Sequence, residues 1–246
     1  MKQKLLIIHG WGLGVKSWQK VKELLELANI EVLLPELPGF GKEPSPGTVW
    51  GIEDYKNWIL KIAKRSNWEK FNLLGHSFGG GLAVRIAADF PKKIEKLILC
   101  SPSIIREKSR KISMIEKTAK ISKKILQKIF RERIIYFLTK IFYTLIRSLD
   151  YFRANGVMKE TMKKVISEDL RLSLRELRQP TLLLWGDRDY TVPLSYASRI
   201  KKEIDKRQVT HPSQKVRLVV FPKVGHALNL QAPDQMVNEI KNFLND

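Results

Sequence analysis

Cysteine is almost missing from the chain: Cys100 stands alone among 246 residues. No intrachain disulfide can form, no oxidising compartment is needed, and a cysteine-based metal cluster lacks its ligands. Long apolar runs are missing as well, since no stretch approaches the roughly 18 uncharged apolar residues of a spanning helix. The amino terminus, MKQKLLIIHGWG, follows its basic start with only four consecutive apolar residues, too few for the apolar region of a secretory signal. We therefore expect a soluble, cytoplasmic protein with no transmembrane segment. Internal repeats and low-complexity linkers are absent, and hydrophobic (43%) and charged (28%) fractions are those of an ordinary globular chain, which excludes collagen-like, coiled-coil and disordered classes.

Negative charge is also scarce. Against 45 Lys and Arg there are 25 Asp and Glu, a formal net charge of +20. Such an excess invites a nucleic-acid reading, but no helix-turn-helix, RNP-like or zinc motif accompanies it, so no nucleic-acid partner is expected. The excess is uneven: residues 106–178 carry 20 basic and 8 acidic side chains, a net of +12. Lysine on solvated helix faces accounts for much of this. A partner drawn by the remainder would be acidic: a carrier protein, a CoA ester or an anionic membrane surface.

What is present is an alternation. KLLII (4–8) reads as a buried strand, and residues 17–28 place Trp18, Val21, Leu24, Leu25 and Ala28 on one helical face. EVLLPELPG supplies a second strand, EDYKNWILKIAKR (53–65) a second helix, KFNLLGHS a third strand, GGGLAVRIAADFP a third helix ended by Pro91, and IEKLILCSP a fourth strand. Strands alternating with helices through short connections define an α/β class with a parallel sheet covered on both faces. Between 106 and 178 the alternation stops and apolar residues recur at helical spacing, as in Ile134, Ile135, Leu138, Ile141, Phe142, Leu145 and Leu149. Strand character returns at PTLLLWGDRD (180–189) and KVRLVVFPKVGHA (215–227), and PDQMVNEIKNFLND closes the chain as a helix. The expected organisation is a core of residues 1–105 and 179–246 with a helical cap inserted at 106–178.

Gly75-His76-Ser77-Phe78-Gly79 has the G-x-S-x-G pattern, with a strand before it and a helix after it. Glycines two positions either side of Ser77 relieve crowding at a sharp turn, and the helix N-terminus stabilises negative charge there. The spacing does not fit G-x-G-x-x-G, and no Lys-Ser/Thr pair follows the glycines, so nucleotide binding is disfavoured. A serine nucleophile needs a base, and the base needs an orienting acid. Of the four histidines, His226 follows the last strand and comes after every other candidate. His9 ends the first strand, His211 lies in a polar loop, and His76 reads as packing or loop support. Asp189, three residues past Gly186, is the favoured acid, with Asp187 as a brace. Backbone N–H groups of Trp11 and Phe78 are the candidate oxyanion donors.

The stretches IIHGWG, PELPGFGKE, LLGHSFGGGLAVRIAADFP, LLLWGDRDYTVP and VGHALNLQAPDQMVNEIKNFL resemble the α/β-hydrolase superfamily in order and spacing. Within it they look like small carboxylesterases, such as pimeloyl carrier-protein methyl ester esterases, and like meta-cleavage-product hydrolases. The resemblance implies a mostly parallel eight-stranded sheet, a helical lid after the sixth strand, and a triad matching Ser77, Asp189 and His226. Serine at position 77 separates the chain from epoxide hydrolases and haloalkane dehalogenases, which place aspartate there. The implied activity is hydrolysis of a carboxylic ester or thioester through an acyl-enzyme, without cofactor or metal. A C–C bond hydrolase and a non-catalytic binding protein are the alternatives.

Overall fold

The computed structural model describes residues 2–105, 156–208 and 216–246. His211 and residues 106–155, the greater part of the expected cap, lie outside them. Strand β1 (Gln3–Ile8) leads through a single 3-10 turn (Val15–Trp18) into helix α1 (Gln19–Leu27) and strand β2 (Ile30–Leu33). Helix α2 (Ile52–Arg65), β3 (Phe71–His76), α3 (Phe78–Asp89) and β4 (Ile94–Cys100) follow. After α4 (Gly156–Ser167) and α5 (Arg171–Arg175) come β5 (Thr181–Gly186), α6 (Ser195–Gln208), β6 (Val216–Phe221), α7 (Leu228–Gln231) and α8 (Pro233–Asn245).

The strands pair in the order β2-β1-β3-β4-β5-β6, and every pairing is parallel. Six strands are thus present among the described residues, where the resemblance implied eight. Strand residues alternate between two cores, as a period of two requires. Leu6, Ile8, Leu73, Leu97, Leu99, Leu183 and Trp185 pack with α2, α3 and α6 on one face. Leu5, Ile7, Leu74, Ile98, Leu182 and Leu184 pack with α1 and α8 on the other, against Val21, Leu25, Met236 and Ile240. Burial on both sides explains why these strands read as continuous apolar runs.

Local chemistry agrees with the helix ends. The first turn of α2 carries Glu53 and Asp54 and its last turn Lys64 and Arg65, the polarity that complements the helix dipole. Asp54 accepts a hydrogen bond from the Gly51 N–H at 2.7 Å, and Glu168, distant in sequence, accepts one from the Ile52 N–H at 3.1 Å. The described part of the basic segment is helical, and Leu170, Leu174 and Leu177 join the core face formed by α3 and α6.

The chain leaves β1 toward β2 on one side and β3 on the other, so the carboxyl ends of β1 and β3 flank the switch point at which open α/β sheets form their crevice. The loops after β1, β3, β4, β5 and β6 meet there.

Candidate active site

Ser77 joins β3 to α3 with φ 52° and ψ −113°, a conformation that L-residues rarely adopt. Its backbone is pinned on both sides. The Ser77 N–H donates to the Cys100 carbonyl at 3.0 Å, and the Ser77 carbonyl accepts from the N–H groups of Gly80 at 3.0 Å and Ser103 at 2.8 Å. Gly79 is required by close approach: a Cβ there would lie 2.2 Å from the Ile8 carbonyl oxygen, so any side chain would push α3 off β1. Gly75 answers the same constraint from the strand, since its Cβ would meet the Gly79 carbonyl at 2.3 Å.

The loops after β5 and β6 bring Asp189 and His226 to this turn. His226 Nε2 lies 2.9 Å from Ser77 Oγ, and His226 Nδ1 lies 2.8 Å from Asp189 Oδ2. The carboxylate only accepts, so Nδ1 carries the proton and Nε2 presents its lone pair to the serine hydroxyl. Asp189 is buried at 3% exposure, and its other oxygen accepts from the N–H groups of Thr191 at 2.8 Å and Val192 at 2.7 Å. Burial pushes its carboxyl upward, but His226, the Val192 amide and the neighbouring Ser101 hydroxyl outweigh burial and bring it below the usual carboxylate range. Trp185, whose indole N–H donates to the Val192 carbonyl at 2.8 Å, anchors the same loop.

Asp187 faces solvent and braces the loop through its backbone N–H, which donates to the Phe221 carbonyl at 3.1 Å. His9 is wholly buried. Its Nδ1–H donates to the Gly10 carbonyl at 2.8 Å, and its Nε2 accepts from the Leu37 N–H at 3.0 Å, so it ties the loop after β1 to the segment after β2. Burial lowers its pKa and keeps it neutral. The Gly10 carbonyl belongs to the peptide whose N–H is that of Trp11. Among the described residues neither the Trp11 nor the Phe78 N–H donates to a protein acceptor. The two side chains meet edge to face with ring centroids 5.3 Å apart, and Phe40 and Tyr55 extend this aromatic wall at 4.9 Å from Trp11 and 5.2 Å from Phe78.

Ser101 and Gln231 belong to the surroundings of the site without any sequence signal. Ser101 follows β4 with a φ of 42° and stands beside Asp189; Gln231 accepts from the Gly225 N–H at 2.7 Å. Cys100, wholly buried beneath the turn, has its thiol pushed up by burial and stays protonated. Among the described residues no group of three or more His, Cys, Asp or Glu side chains is arranged to hold a metal, and no helix is long and apolar enough to cross a membrane.

A parallel sheet with helices on both faces and a serine at the tight turn after its third strand defines a class, and the family model of the alpha/beta hydrolase fold matches residues 4–140. The chain belongs to the α/β-hydrolase family. Among curated proteins it is 27% identical to a pimeloyl-[acyl-carrier protein] methyl ester esterase of Nitrosospira multiformis, over 97% of this chain and 93% of that one. It is 24% identical to a 2-hydroxy-6-oxo-2,4-heptadienoate hydrolase of Pseudomonas putida, over 98% and 88%. A 36% identical match to an abhydrolase domain-containing protein of Caenorhabditis elegans covers 41% of this chain and only 23% of that longer one. Among solved structures, the enol-lactonase of Burkholderia xenovorans superposes with a TM-score of 0.73 at 17% identity, over the whole of this chain and 92% of that one. The chain is a hydrolase of this fold whose relatives include esterases and meta-cleavage hydrolases.

Proposed function

We propose that the chain is a serine hydrolase that cleaves a carboxylic ester or thioester through an acyl-enzyme. The observation that carries this reading is the unbroken line from Ser77 Oγ through His226 to Asp189, with both links under 3 Å. In the first half-reaction Ser77 Oγ bonds to the substrate carbonyl carbon while its proton passes to His226 Nε2. The Trp11 and Phe78 N–H groups stabilise the oxyanion, each donor contributing about 3 kcal/mol in related chemistry. His226 then gives its proton to the departing alcohol or thiol as the acyl carbon–heteroatom bond breaks. In the second half-reaction His226 takes a proton from water, whose oxygen bonds to the acyl carbon, and Ser77 leaves with its proton restored. Asp189 balances the imidazolium in both.

The aromatic wall of Trp11, Phe40, Phe78 and Tyr55 suits an apolar acyl group. Residues 106–178 are the proposed cap, and their surplus of lysine and arginine suits an acidic carrier protein that bears the acyl group. This accords with the carrier-protein ester named for the Nitrosospira relative. A C–C hydrolase is the second reading, favoured by the Pseudomonas relative, which aligns along nearly the full chain.

The test is a hydrolysis screen over p-nitrophenyl esters of increasing length, acyl-CoA esters and a vinylogous diketone, run beside Ser77→Ala. Ester or thioester turnover abolished in the variant is the expected result. Turnover confined to the diketone selects the second reading, and activity unchanged in Ser77→Ala overturns the mechanism. For the basic segment, turnover of a carrier-protein ester should fall with added salt while that of a small neutral ester does not.

A further inference from the structure

His76 precedes the serine directly, yet its ring points away from the hydroxyl. Its Nε2 lies 2.9 Å from the carbonyl oxygen of His226. A carbonyl only accepts, so Nε2 carries the hydrogen and Nδ1 is the unprotonated nitrogen. Its free lone pair, on Nδ1, is buried against Gly10 and makes no hydrogen bond with Ser77, so His76 is no spare base. We propose that His76 is a positioning residue that bolts the His226 loop to the nucleophile's strand and so holds His226 Nε2 at bonding distance from Ser77 Oγ. This inference rests on the serine-hydrolase reading above.

The loop between β6 and α7 has no regular structure to hold it, and Lys223 within it has a φ of 62°. Three successive backbone groups are tethered instead. The Val224 carbonyl accepts from the Arg188 N–H at 2.9 Å, the Gly225 N–H donates to Gln231, and the His226 carbonyl accepts from His76. Arg188 sits in the acid's loop and Gln231 in the helix that follows His226, so both can move with the loop they hold. His76 alone of the three belongs to β3, one residue before the nucleophile.

The ring itself is held firmly. Residue 76 is wholly buried and stands opposite Cys100 in the parallel register. Trp18 packs against its ring at 5.8 Å between centroids, and the His226 ring lies at 4.9 Å. On the Nδ1 side a Cβ at Gly10 would come within 2.8 Å, so residue 10 lets the imidazole fit. Burial, with help from His226, pushes the His76 pKa down to about 3, so the ring stays neutral while the adjacent imidazole cycles through its charged form. A permanent cation there would oppose that cycle. An apolar side chain would fill the space but leave the His226 carbonyl without its donor.

The experiment compares wild type, His76→Phe, which keeps a ring without the donor, and His76→Gln, whose amide nitrogen can reach the place of Nε2. Readouts are kcat and KM on the best ester of the screen, the rate at which a fluorophosphonate labels Ser77, and the low-field proton resonance of the His226–Asp189 hydrogen bond. Displacement of a reacting group by about 1 Å costs on the order of 10²-fold in rate. His76→Phe should therefore lose about that factor in kcat and in labelling rate, with KM within about twofold and the low-field resonance lost or shifted; His76→Gln should recover most of the loss. Should His76→Phe fail to fold, His76→Leu takes its place. Labelling and kcat within threefold of wild type in the donor-less variant, or equal losses in the Phe and Gln variants, overturn the proposal. Either result, with Ser77→Ala inactive, leaves the serine-hydrolase reading intact; an active Ser77→Ala would instead remove its basis.

Discussion

Two polar networks among the described residues bury a charged side chain, and they are built on different plans. Ser77, His226 and Asp189 form a line in which each atom has one assigned partner, running from a buried carboxylate to a hydroxyl in the crevice. Lys56 instead lies at the centre of a closed cluster between α2 and α3. It donates to Glu53 at 2.5 Å and Asp89 at 2.6 Å, and Arg85 bonds the same two carboxylates at 2.8 and 3.1 Å. Two cations and two anions cancel there, and no proton has anywhere to go. The line carries a net negative charge at its buried end and is completed only when the imidazole gains a proton. Charge balance makes the cluster a fastener; charge imbalance leaves the line able to take up a proton at His226, the step that the proposed mechanism uses.

Substitutions should separate the two plans. Asp189→Asn should lower kcat by roughly 10³–10⁴-fold in ester hydrolysis, because the amide can donate to His226 Nδ1 and favours the wrong tautomer. At neutral pH its urea unfolding midpoint should fall by less than that of Lys56→Met; an equal or larger fall would show that Asp189 fastens as well. Lys56→Met should do the reverse. The variant should lose about 1–3 kcal/mol in urea unfolding, below the figure for fully buried pairs because Glu53 is half-exposed, with kcat within twofold of wild type. A tenfold fall in kcat would mean that the α2–α3 contact reaches the serine turn.

The pH dependence of stability has opposite signs in the two networks. The Asp189 carboxyl is held below its ordinary value, so its contribution is present above about pH 4 and is lost as pH falls through the folded value. Thermal midpoints of wild type and Asp189→Asn should therefore converge in acid. Lys56 is pushed down by burial, but its bonds to Asp89 and Glu53 outweigh this and raise its pKa. Its contribution is full below about pH 10 and is lost as pH rises through the folded value, so wild type and Lys56→Met should converge in alkali. Convergence at the other end of the scale in either pair would break the assignment. As the smallest effect, Arg217→Ala, which removes a solvent-screened pair with Glu239, should change unfolding by less than about 1 kcal/mol and leave kcat alone.

The line was legible in the sequence because each member sits at the end of an apolar run that can be recognised by itself. KFNLLG, TLLLWG and VRLVVF mark β3, β5 and β6, and the residues just beyond them are Ser77, Asp189 and His226. Parallel strands place such ends on one edge of the sheet, so chain order alone brings them near one another. Lys56 gave no comparable signal. It lies at a helical position among charged neighbours, and only the packing of α2 on α3 buries it. The same holds for Ser101, which stands beside an aspartate 88 residues away in sequence, and for Gln231, bonded to a backbone N–H 6 residues away; both placements are set by how loops settle. For His76 the sequence suggests only packing or loop support; its bond to a carbonyl 150 residues distant is a matter of side-chain direction within β3, which periodicity does not report.

The φ of 52° at Ser77 has a consequence beyond chemistry. Glycine would adopt that backbone with less strain, and relief of such strain is worth about 1–3 kcal/mol, offset in part by glycine's greater freedom in the unfolded chain. Ser77→Gly should therefore melt no lower than wild type while losing its hydrolytic activity. Under the serine-hydrolase reading, serine at this position therefore favours turnover over heat resistance.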